Sequence, residues 1–454
     1  MRIFLTLLIC RLTKALLRLM GRGGTALPGK LALRLCPNIL GVLAHRVRTI
    51  VVTGTNGKTT SSRMVEQALS EAGVSYFANR SGANLIQGIV TEYASHARLN
   101  GAPRCDYAVI ECDEGALRAV SGYVSPAVIL VTNVFSDQLD RFGDVKNTLE
   151  AIRAGIKAAP EATLCLCADC SLCATLSDGV PNPVVWFGCD VPVSSAPVSE
   201  LSDAPRCVRC GGELSYDYRT YGHLGGFRCP GCGYARPKAD VAVTELLRST
   251  ADGTEIALSI SGLRYDAFVN VPGGFNLYNA AGAAAVCEAL DLGAEVAVRA
   301  LGSFKCGFGR MEKLELGSVS ARMILVKNPA GANQALSFAS ELTGDVLIVF
   351  ALNDLTGDGT DVSWIYDVDF SRLLALGNRL RGVICSGRRA DEAALRMKYA
   401  GIPPEPLRVI PDYEDLIAAI TAQDAQVILL PTYSAMMELR HKLSAKYGLS
   451  GFWE

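Results

Sequence analysis

The stretch TIVVTGTNGKTT at residues 49–60 indicates how the chain builds its main fold. A β-branched apolar run leads into a turn bounded by glycines, and apolar side chains then recur at helical spacing. A strand, a glycine loop and a helix in this order are typical of a nucleotide-phosphate site, because loop N–H groups and the helix N-terminus both face the phosphate oxygens. Val52 stands where the general pattern has its first glycine, so the loop is a shorter variant. The predicted nucleotide-binding residues are Gly54, Thr55, Asn56, Gly57, Lys58, Thr59 and Thr60.

Two side chains near this loop are candidates for the chemistry itself. Lys58 supplies a point charge for phosphate, and Thr59 offers a hydroxyl to Mg²⁺. Glu111 ends a buried-type strand at residues 106–111, and ligands of parallel sheets bind at such strand ends. The sequence therefore predicts Glu111 as a second magnesium ligand, with a plain helix-capping role as the alternative.

Composition places the chain among enzymes with several domains. Its 454 residues suffice for two or three domains, and a net charge of −1 offers no electrostatic sign of a nucleic-acid partner. The 16 cysteines do not have the spacing of a secreted disulfide framework, so we expect a reducing, cytoplasmic compartment.

The first 20 residues are rich in Leu and Ile, but they are unlike a membrane span. Arg11, Lys14, Arg18 and Arg22 interrupt the apolar run at helical spacing, which predicts an amphipathic basic helix. Two interpretations stay open: the helix rests on an anionic membrane surface, or it packs on the first domain with a solvated basic face. A cleaved signal peptide is disfavoured because a nucleotide site follows.

Two groups of cysteines differ in their spacing. Two Cys-x₂-Cys pairs separated by 18 residues predict a closed, structural Zn²⁺ site on a small hairpin, with the ligands Cys207, Cys210, Cys229 and Cys232. A nucleic-acid-binding ribbon is the alternative, because several arginines surround the pairs. The cysteines at residues 165–173 are instead expected to lie in a buried strand and its continuation, where Cys behaves as a small apolar side chain.

The second half of the chain adds a further part of the predicted site and another α/β unit. Asn276 and Asn279 open an Ala-rich helix on one face, from which they could reach a nucleotide base or ribose, and Arg310 is placed to meet phosphate. Apolar runs at 323–329, 346–350, 382–387 and 426–431 predict four strands with helices between them.

The phosphate loop, the Glu111 strand, the asparagine pair and the Gly309-Arg310-Met311-Glu312 junction together resemble the Mur ligases over nearly the whole chain. The four-cysteine insert and the runs at 325–334 and 363–370 are similar to the branch that amidates the peptidoglycan stem peptide. The resemblance implies an α/β fold with a Mur-ligase-like central P-loop ATPase domain, an inserted Cys₄ zinc ribbon, and a Rossmann-like α/β C-terminal domain. It divides the chain into an amphipathic basic segment (1–47), the central domain (48–304, ribbon at about 203–238) and the C-terminal domain (305–454).

The activity implied by the resemblance is ATP-dependent amidation of the α-carboxylate of D-glutamate in lipid II, through an acyl phosphate. Lipid II would be met at the cytoplasmic face of the membrane, where a peripheral protein can reach it. Ammonia would come from a separate GatD-like glutaminase, because the chain has no nucleophile elbow and its four histidines, His45, His96, His223 and His441, have no credible nucleophile nearby in the sequence.

An aspartate of the C-terminal domain is thought to complete the partner's Cys–His pair in this branch. The loop at 353–361 carries three aspartates, and we expect Asp358, between two glycines, to play this part, followed by Asp361 and Asp367. The alternative is an ordinary Asp-Gly turn.

Two rival functions remain open at this stage. One is a peptide ligase of the folate or cyanophycin type, and the other is a non-catalytic zinc-ribbon scaffold that only binds nucleotide. Gln138 stands where typical Mur ligases carry a metal-ligating histidine, which puts a second Mg²⁺ in doubt.

Overall fold

The computed structural model describes residues 1–20, 24–79, 83–136, 145–193, 204–405 and 407–449. Its strands form a nine-stranded sheet, a six-stranded sheet and a two-stranded hairpin. The α/β class and the four-cysteine insert agree with the sequence-based prediction.

The first sheet has the strand order β11-β10-β9-β6-β5-β4-β1-β3-β2, in which β9, β10 and β11 are antiparallel and the other pairs are parallel. The central strand β1 lies between β3 and β4, so the loop after β1 opens at a topological switch point. The strands up to β11, of which β7 and β8 pair only with each other, are β1 (Arg48–Thr53), β2 (Tyr76–Ala78), β3 (Tyr107–Glu111), β4 (Val128–Val131), β5 (Thr163–Cys167), β6 (Val184–Cys189), β7 (Ser215–Tyr221), β8 (Leu224–Arg228), β9 (Val241–Ser249), β10 (Thr254–Ile260) and β11 (Leu263–Val269).

Helices cover this sheet, and strands such as β4 are buried along their whole length, as a parallel sheet with both faces covered requires. The helices of this part are α1 (Arg2–Leu19), α2 (Ala26–Leu35), α3 (Ile39–Ala44), α4 (Lys58–Glu71), α5 (Ile86–His96), α6 (Leu117–Val124), α7 (Val145–Lys157), α8 (Ser171–Ala174), α9 (Phe275–Ala289) and α10 (Ala294–Ser303).

The second sheet has the order β12-β13-β17-β14-β15-β16, and only β12 and β13 are antiparallel. Its strands are β12 (Arg310–Leu316), β13 (Val319–Ile324), β14 (Val346–Ala351), β15 (Leu380–Ser386), β16 (Leu407–Val409) and β17 (Gln426–Pro431). The helices between them are α11 (Pro329–Glu341), α12 (Ala390–Tyr399), α13 (Tyr413–Thr421) and α14 (Tyr433–Tyr447), with 3₁₀ turns at Ser363–Asp367 and Phe370–Arg379.

One predicted strand of this sheet is misplaced. The apolar run at 323–329 was expected to form a strand, but β13 ends at Ile324. Asn328 accepts a hydrogen bond from the Gly331 N–H and Pro329 occupies the first turn, so these residues begin α11. The capping interaction of Asn328 therefore sets where α11 begins, and a run of apolar residues in the sequence does not indicate this.

Helix α1 reverses the expected orientation of its charges. Arg11 donates to the carbonyl of Ala94, and Lys14 forms an ion pair with Glu92 at 3.0 Å, so both side chains point toward α5. The prediction of a solvated basic face is wrong for these two residues, although Arg18 is exposed; Arg22 lies outside the described residues. Within the described part of the chain, no helix has the length and hydropathy needed to cross a membrane.

Candidate active site

The phosphate loop is held in shape by the strand beside it. Asn56 donates its backbone N–H to Asn133 Oδ1 (2.9 Å), and its carbonyl accepts from Asn133 Nδ2 (3.0 Å). Gly54 has φ +115°, and a Cβ atom there would lie 2.5 Å from Thr132 Oγ1. The loop is thus a preformed cradle of backbone N–H groups ahead of the N-terminus of α4, which suits phosphate oxygens.

Lys58 is fixed at the wall of the site by two acceptors. Its Nζ lies 2.8 Å from Glu114 Oε1 and 2.5 Å from the carbonyl oxygen of Gly54. Both side chains of the ion pair are largely buried, at 10% and 4% exposure. Glu114 was not among the residues expected from the sequence, and only its place three residues after Glu111 could have suggested it.

Thr59, Glu111 and Arg310 meet although they are far apart in sequence. The Thr59 hydroxyl donates to Glu111 Oε2 at 2.9 Å, and Arg310 Nη2 lies 3.5 Å from the same hydroxyl oxygen. Burial lowers the pKa of Arg310, against the opposing effect of the nearby Glu111 carboxylate. A hydroxyl and a carboxylate are oxygen ligands that suit Mg²⁺, so the predicted pair is geometrically fit to hold the ion.

The two asparagines on α9 support the loop from behind. Asn279 Nδ2 donates to Asn276 Oδ1 (3.0 Å), and Asn279 Oδ1 accepts from the Ser61 hydroxyl (3.2 Å). A Cβ atom on Gly57 would lie 2.1 Å from Asn279 Oδ1, so glycine is required for this close approach. Both asparagines are buried and line the cavity described next. Their contact with the nucleoside stays a prediction.

A cavity of about 230 Å³ connects the two sheets. The loop and α9 form one wall, and segments that follow strands of the second sheet contribute Lys327, Asn328, Asp358 and Tyr433. Asn328 Nδ2 donates to Asn56 Oδ1 at 3.0 Å, so the C-terminal half touches the phosphate loop directly. A cavity with walls from both halves can hold two reactants against each other, which suits a transfer reaction between them.

Tyr221 is a cavity residue that the sequence did not reveal. It ends β7 on the four-cysteine insert, stacks on Phe135 with ring centroids 5.7 Å apart, and lines the cavity. The insert therefore reaches the nucleotide site through its hairpin tip, a contact that spacing along the chain could not indicate.

The four insert cysteines form one cluster. Their sulfur atoms lie within 4.8 Å of one another. Cys210 and Cys229 are 3.4 Å apart and Cys207 and Cys232 are 3.6 Å apart, too far for disulfides and suitable for tetrahedral Zn²⁺. The two Cys-x₂-Cys-Gly turns repeat each other, since Gly211 and Gly233 both have φ +75° and donate to Cys207 and Cys229 carbonyls. Among the described residues, no other set of three or more His, Cys, Asp or Glu side chains is placed to share a metal ion.

Comparison with known proteins identifies the chain. The family model of the Mur ligase middle domain matches residues 52–196, and that of the MurT ligase C-terminal domain matches residues 325–436. The chain is 33% identical over 451 residues to the lipid II isoglutaminyl synthase (glutamine-hydrolysing) subunit MurT of Streptococcus pneumoniae strain ATCC BAA-255 / R6, with 97% of both chains covered. It belongs to the MurT family.

A second relative supports the assignment, and a solved structure supports the fold. The MurT subunit of Staphylococcus aureus strain COL is 32% identical over 453 residues, covering 98% of this chain and 99% of that protein. A crystal structure of MurF from Acinetobacter baumannii has a TM-score of 0.68 at 18% identity, covering 92% of this chain and 81% of that one. The chain is thus a ligase subunit of the glutamine-hydrolysing lipid II isoglutaminyl synthase type, with the ATP-binding domain of Mur ligases.

The aspartates of the MurT-type C-terminal domain differ in their surroundings. Asp358 is only 4% exposed, and its carboxylate accepts from the Ser434 N–H (2.7 Å) and the Ser434 hydroxyl (2.5 Å) at the start of α14. Asp361 and Asp367 are exposed, and a hydrogen bond from the Ser363 N–H lowers the pKa of Asp361. A second protein could therefore contact Asp361 and Asp367 without rearrangement, whereas Asp358 holds a helix end.

One histidine of this chain, His223, contacts a thiol in the protein interior. His223 Nε2 lies 3.3 Å from Cys170 Sγ, so a thiol does face a histidine. Both residues have 0% exposure, and the structure offers no access for a substrate to this pair. Residues 137–144, which include Gln138, lie outside the described part of the chain.

Proposed function

We propose that the chain amidates the α-carboxylate of D-glutamate in the stem peptide of lipid II, with ATP as the energy source and ammonia as the nitrogen donor. The observation that supports this is a single cavity in which the phosphate loop, the Thr59–Glu111 pair and Arg310 face a wall from the MurT-type domain. In Mur-type chemistry the carboxylate must be activated before an amine can replace its oxygen.

The first step activates the carboxylate. One carboxylate oxygen attacks the γ-phosphorus of ATP, the bond to the ADP oxygen breaks, and an acyl phosphate forms. The loop N–H groups and Lys58 would hold the phosphates, and Arg310 would meet charge on the transferred group. Thr59 and Glu111 would hold Mg²⁺, which neutralises phosphate charge when it is bound.

The second step forms the amide. Ammonia attacks the acyl carbon, inorganic phosphate leaves with its bonding electrons, and the proton lost by nitrogen passes to phosphate. Glu114 and the Gly54 carbonyl would hold the Lys58 side chain at the cavity wall in both steps, since each accepts a hydrogen bond from its ammonium group.

The ammonia would come from a separate glutaminase subunit of the GatD type. Of the three candidate aspartates, we place Asp361 and Asp367 ahead of Asp358 for contact with that subunit, because both are exposed. This order differs from the sequence-based expectation, which favoured Asp358 for its place between two glycines. The reason is that both oxygens of Asp358 already accept hydrogen bonds within the chain.

The remaining parts of the proposal follow from the same chemistry. Four cysteine sulfurs close a tetrahedral sphere, so the zinc would be structural. Because lipid II is a membrane lipid, the reaction would take place at the cytoplasmic face of the plasma membrane. We propose no nucleic-acid partner.

The decisive experiment measures ATP hydrolysis with lipid II as acceptor and ammonium as co-substrate. Hydrolysis should require both, and mass spectrometry should show conversion of one carboxyl to an amide. Addition of an amino acid to the acceptor would favour the peptide-ligase alternative, and nucleotide binding without acceptor-dependent hydrolysis would favour the scaffold.

Lys58→Ala tests the assigned site. Removing a preorganised charge from a phosphoryl-transfer site should lower the rate by roughly 10²–10³. Lys157→Ala, at the exposed end of α7, is the control and should keep its rate. Activity of Lys58→Ala within threefold of wild type would contradict the assignment.

The aspartates are tested in the complex with two nitrogen sources. Asp361→Asn or Asp367→Asn should abolish glutamine-dependent amidation and preserve the reaction with free ammonium. Loss of both reactions would place the residue in the ligase site, and loss of neither would remove it from the glutaminase role. Asp358→Asn should instead lower thermal stability, because it disturbs the start of α14.

A further inference from the structure

Helix α1 buries Leu7 and Cys10 together with two polar side chains, and it leaves a second apolar side exposed to solvent. Thr6 is 1% exposed, and Lys14 Nζ contacts both Glu92 and Ser95 at 3.0 and 2.9 Å. On the solvent side, four leucines are more than half exposed: Leu5 at 51%, Leu12 at 61%, Leu16 at 59% and Leu19 at 86%. A surface helix of a globular protein normally has one apolar stripe, which faces the core, and polar side chains on the side that faces solvent.

The exposed leucines form one continuous stripe. Steps of seven, four and three residues separate Leu5, Leu12, Leu16 and Leu19, so all four lie on one side of the helix. The neighbouring helix α2 adds exposed Leu27 and Leu35. A contiguous apolar patch of this kind on a protein surface marks a docking face.

The charge around this stripe has a single sign. The first 65 residues contain no aspartate or glutamate, although the whole chain has a net charge of only −1. Arg2 and Arg18 on α1 and Lys30 and Arg34 on α2 are exposed. Basic side chains beside an apolar stripe complement a surface that combines acyl chains with anionic headgroups.

We propose that the stripe of Leu5, Leu12, Leu16 and Leu19, with the basic side chains of α1 and α2, rests on the anionic surface of a lipid bilayer. A second copy of the chain is less suited, since two such faces would bring like charges together. The choice of a lipid surface also rests on the proposed function, because lipid II is anchored in the bilayer. Lying in the interface would keep the cavity close to that anchored substrate.

The first test is sedimentation of the full chain with vesicles. We expect the wild type to bind vesicles of phosphatidylglycerol and phosphatidylcholine in equal parts at least tenfold more tightly than vesicles of phosphatidylcholine alone. Leu12→Gln with Leu16→Gln should weaken this binding at least tenfold, because it removes the centre of the stripe. Arg18→Gln with Lys30→Gln should reduce the preference for phosphatidylglycerol. Leu263→Gln with Leu395→Gln, which changes exposed leucines elsewhere, is the matched control and should bind as wild type.

The second measurement separates this inference from the proposed function. All variants should hydrolyse ATP at the wild-type rate with ammonium and with lipid II dissolved in detergent, since none of the changed residues lines the cavity. Wild-type binding by the Leu12, Leu16 variant, or no binding of the wild type to anionic vesicles, would overturn the inference and leave the amidation unaffected. A dimer in analytical ultracentrifugation that the Leu12, Leu16 variant dissociates would also overturn it, in favour of a second copy.

Discussion

The four insert cysteines and the five cysteines at positions 165, 167, 170, 173 and 189 differ in what surrounds their sulfur atoms. The insert sulfurs point at one another, and Cys210 and Cys232 are exposed. The other five have 0% exposure. Burial raises the pKa of Cys165, whereas, against the effect of burial, contacts with Cys173 and His223 lower the pKa of Cys170. Among the described residues, only the first group brings four sulfur atoms close enough together to share one ion, as a tetrahedral zinc site requires.

The Cys-x₂-Cys step by itself does not separate these two groups. Cys167, Cys170 and Cys173 also follow a Cys-x₂-Cys pattern, but they lie in β5 and the short helix after it. The insert has a second pair that converges on the first, and each pair is followed by a glycine with positive φ that closes the turn. In this protein the metal site depends on two Cys-x₂-Cys turns that face each other. The Cys-x₂-Cys spacing at 167–173 has no such facing turn, and its cysteines pack in the core.

The largest expected effect comes from removing the zinc ligands. Cys207→Ser with Cys229→Ser should reduce the zinc content from one per chain to none and unfold the insert. A closed zinc site contributes on the order of 10 kcal/mol to the folding of small domains. Metal analysis and thermal unfolding check this. Cys167→Ala with Cys189→Ala is the control and should retain its zinc, whereas a soluble, metal-free and fully active serine variant would contradict the comparison.

Asp169 lies among the buried cysteines, between Cys167 and Cys170 in the sequence, and the titration of its carboxylate should be measurable. Burial raises the pKa of Asp169 from 3.8 to about 6, despite the opposing effects of Arg236 and the Tyr278 hydroxyl. Between these values the folded protein holds the proton more often than the unfolded chain, so this contribution to stability is complete below pH 3.8 and is lost as pH rises through 6. Relative to Asp169→Asn, wild type should lose up to about 3 kcal/mol of unfolding free energy between pH 4 and 6.5. Parallel profiles in urea unfolding would show that Asp169 stays charged.

Tyr221 tests whether the zinc-bearing insert serves the nucleotide site. Tyr221→Ala should weaken ATP binding about tenfold, because it removes a cavity wall and the stacking partner of Phe135. Calorimetry measures the affinity, and Tyr399→Ala, a highly exposed residue on α12, serves as control. An unchanged affinity would mean that the insert stabilises the fold without shaping the site.

The smallest effect is expected where one buried cysteine contacts the hairpin of the insert. Cys170→Ala removes the thiol next to His223 Nε2 and should lower the unfolding free energy by about 1 kcal/mol. Zinc content should not change. Urea unfolding beside Cys105→Ala, which changes a less buried cysteine, makes the comparison. A loss of zinc in Cys170→Ala would show that the two groups form one unit.

Much of the fold and part of the site could be predicted from local sequence. The phosphate loop is a contiguous segment whose glycines and flanking patterns determine its conformation, and the pairing of Cys207 with Cys210 depends on a spacing of three residues. The strands β3 and β4 follow from continuous apolar runs, because a parallel sheet buries both faces. These features depend on residues close together in the chain, so the pattern is sufficient.

Tertiary structure alone decided the contacts between distant elements. Three contacts join elements that are far apart in the sequence, and local patterns do not indicate how such elements are placed. They are the ion pair of Lys58 with Glu114, the position of Tyr221 in the cavity wall, and the burial of Asp358 against α14. The same holds for α1: the helical spacing of its charged and apolar residues was visible in the sequence. Which side faces inward depends on the acceptors that α5 offers to Arg11 and Lys14, and these exist only once the two helices are packed together.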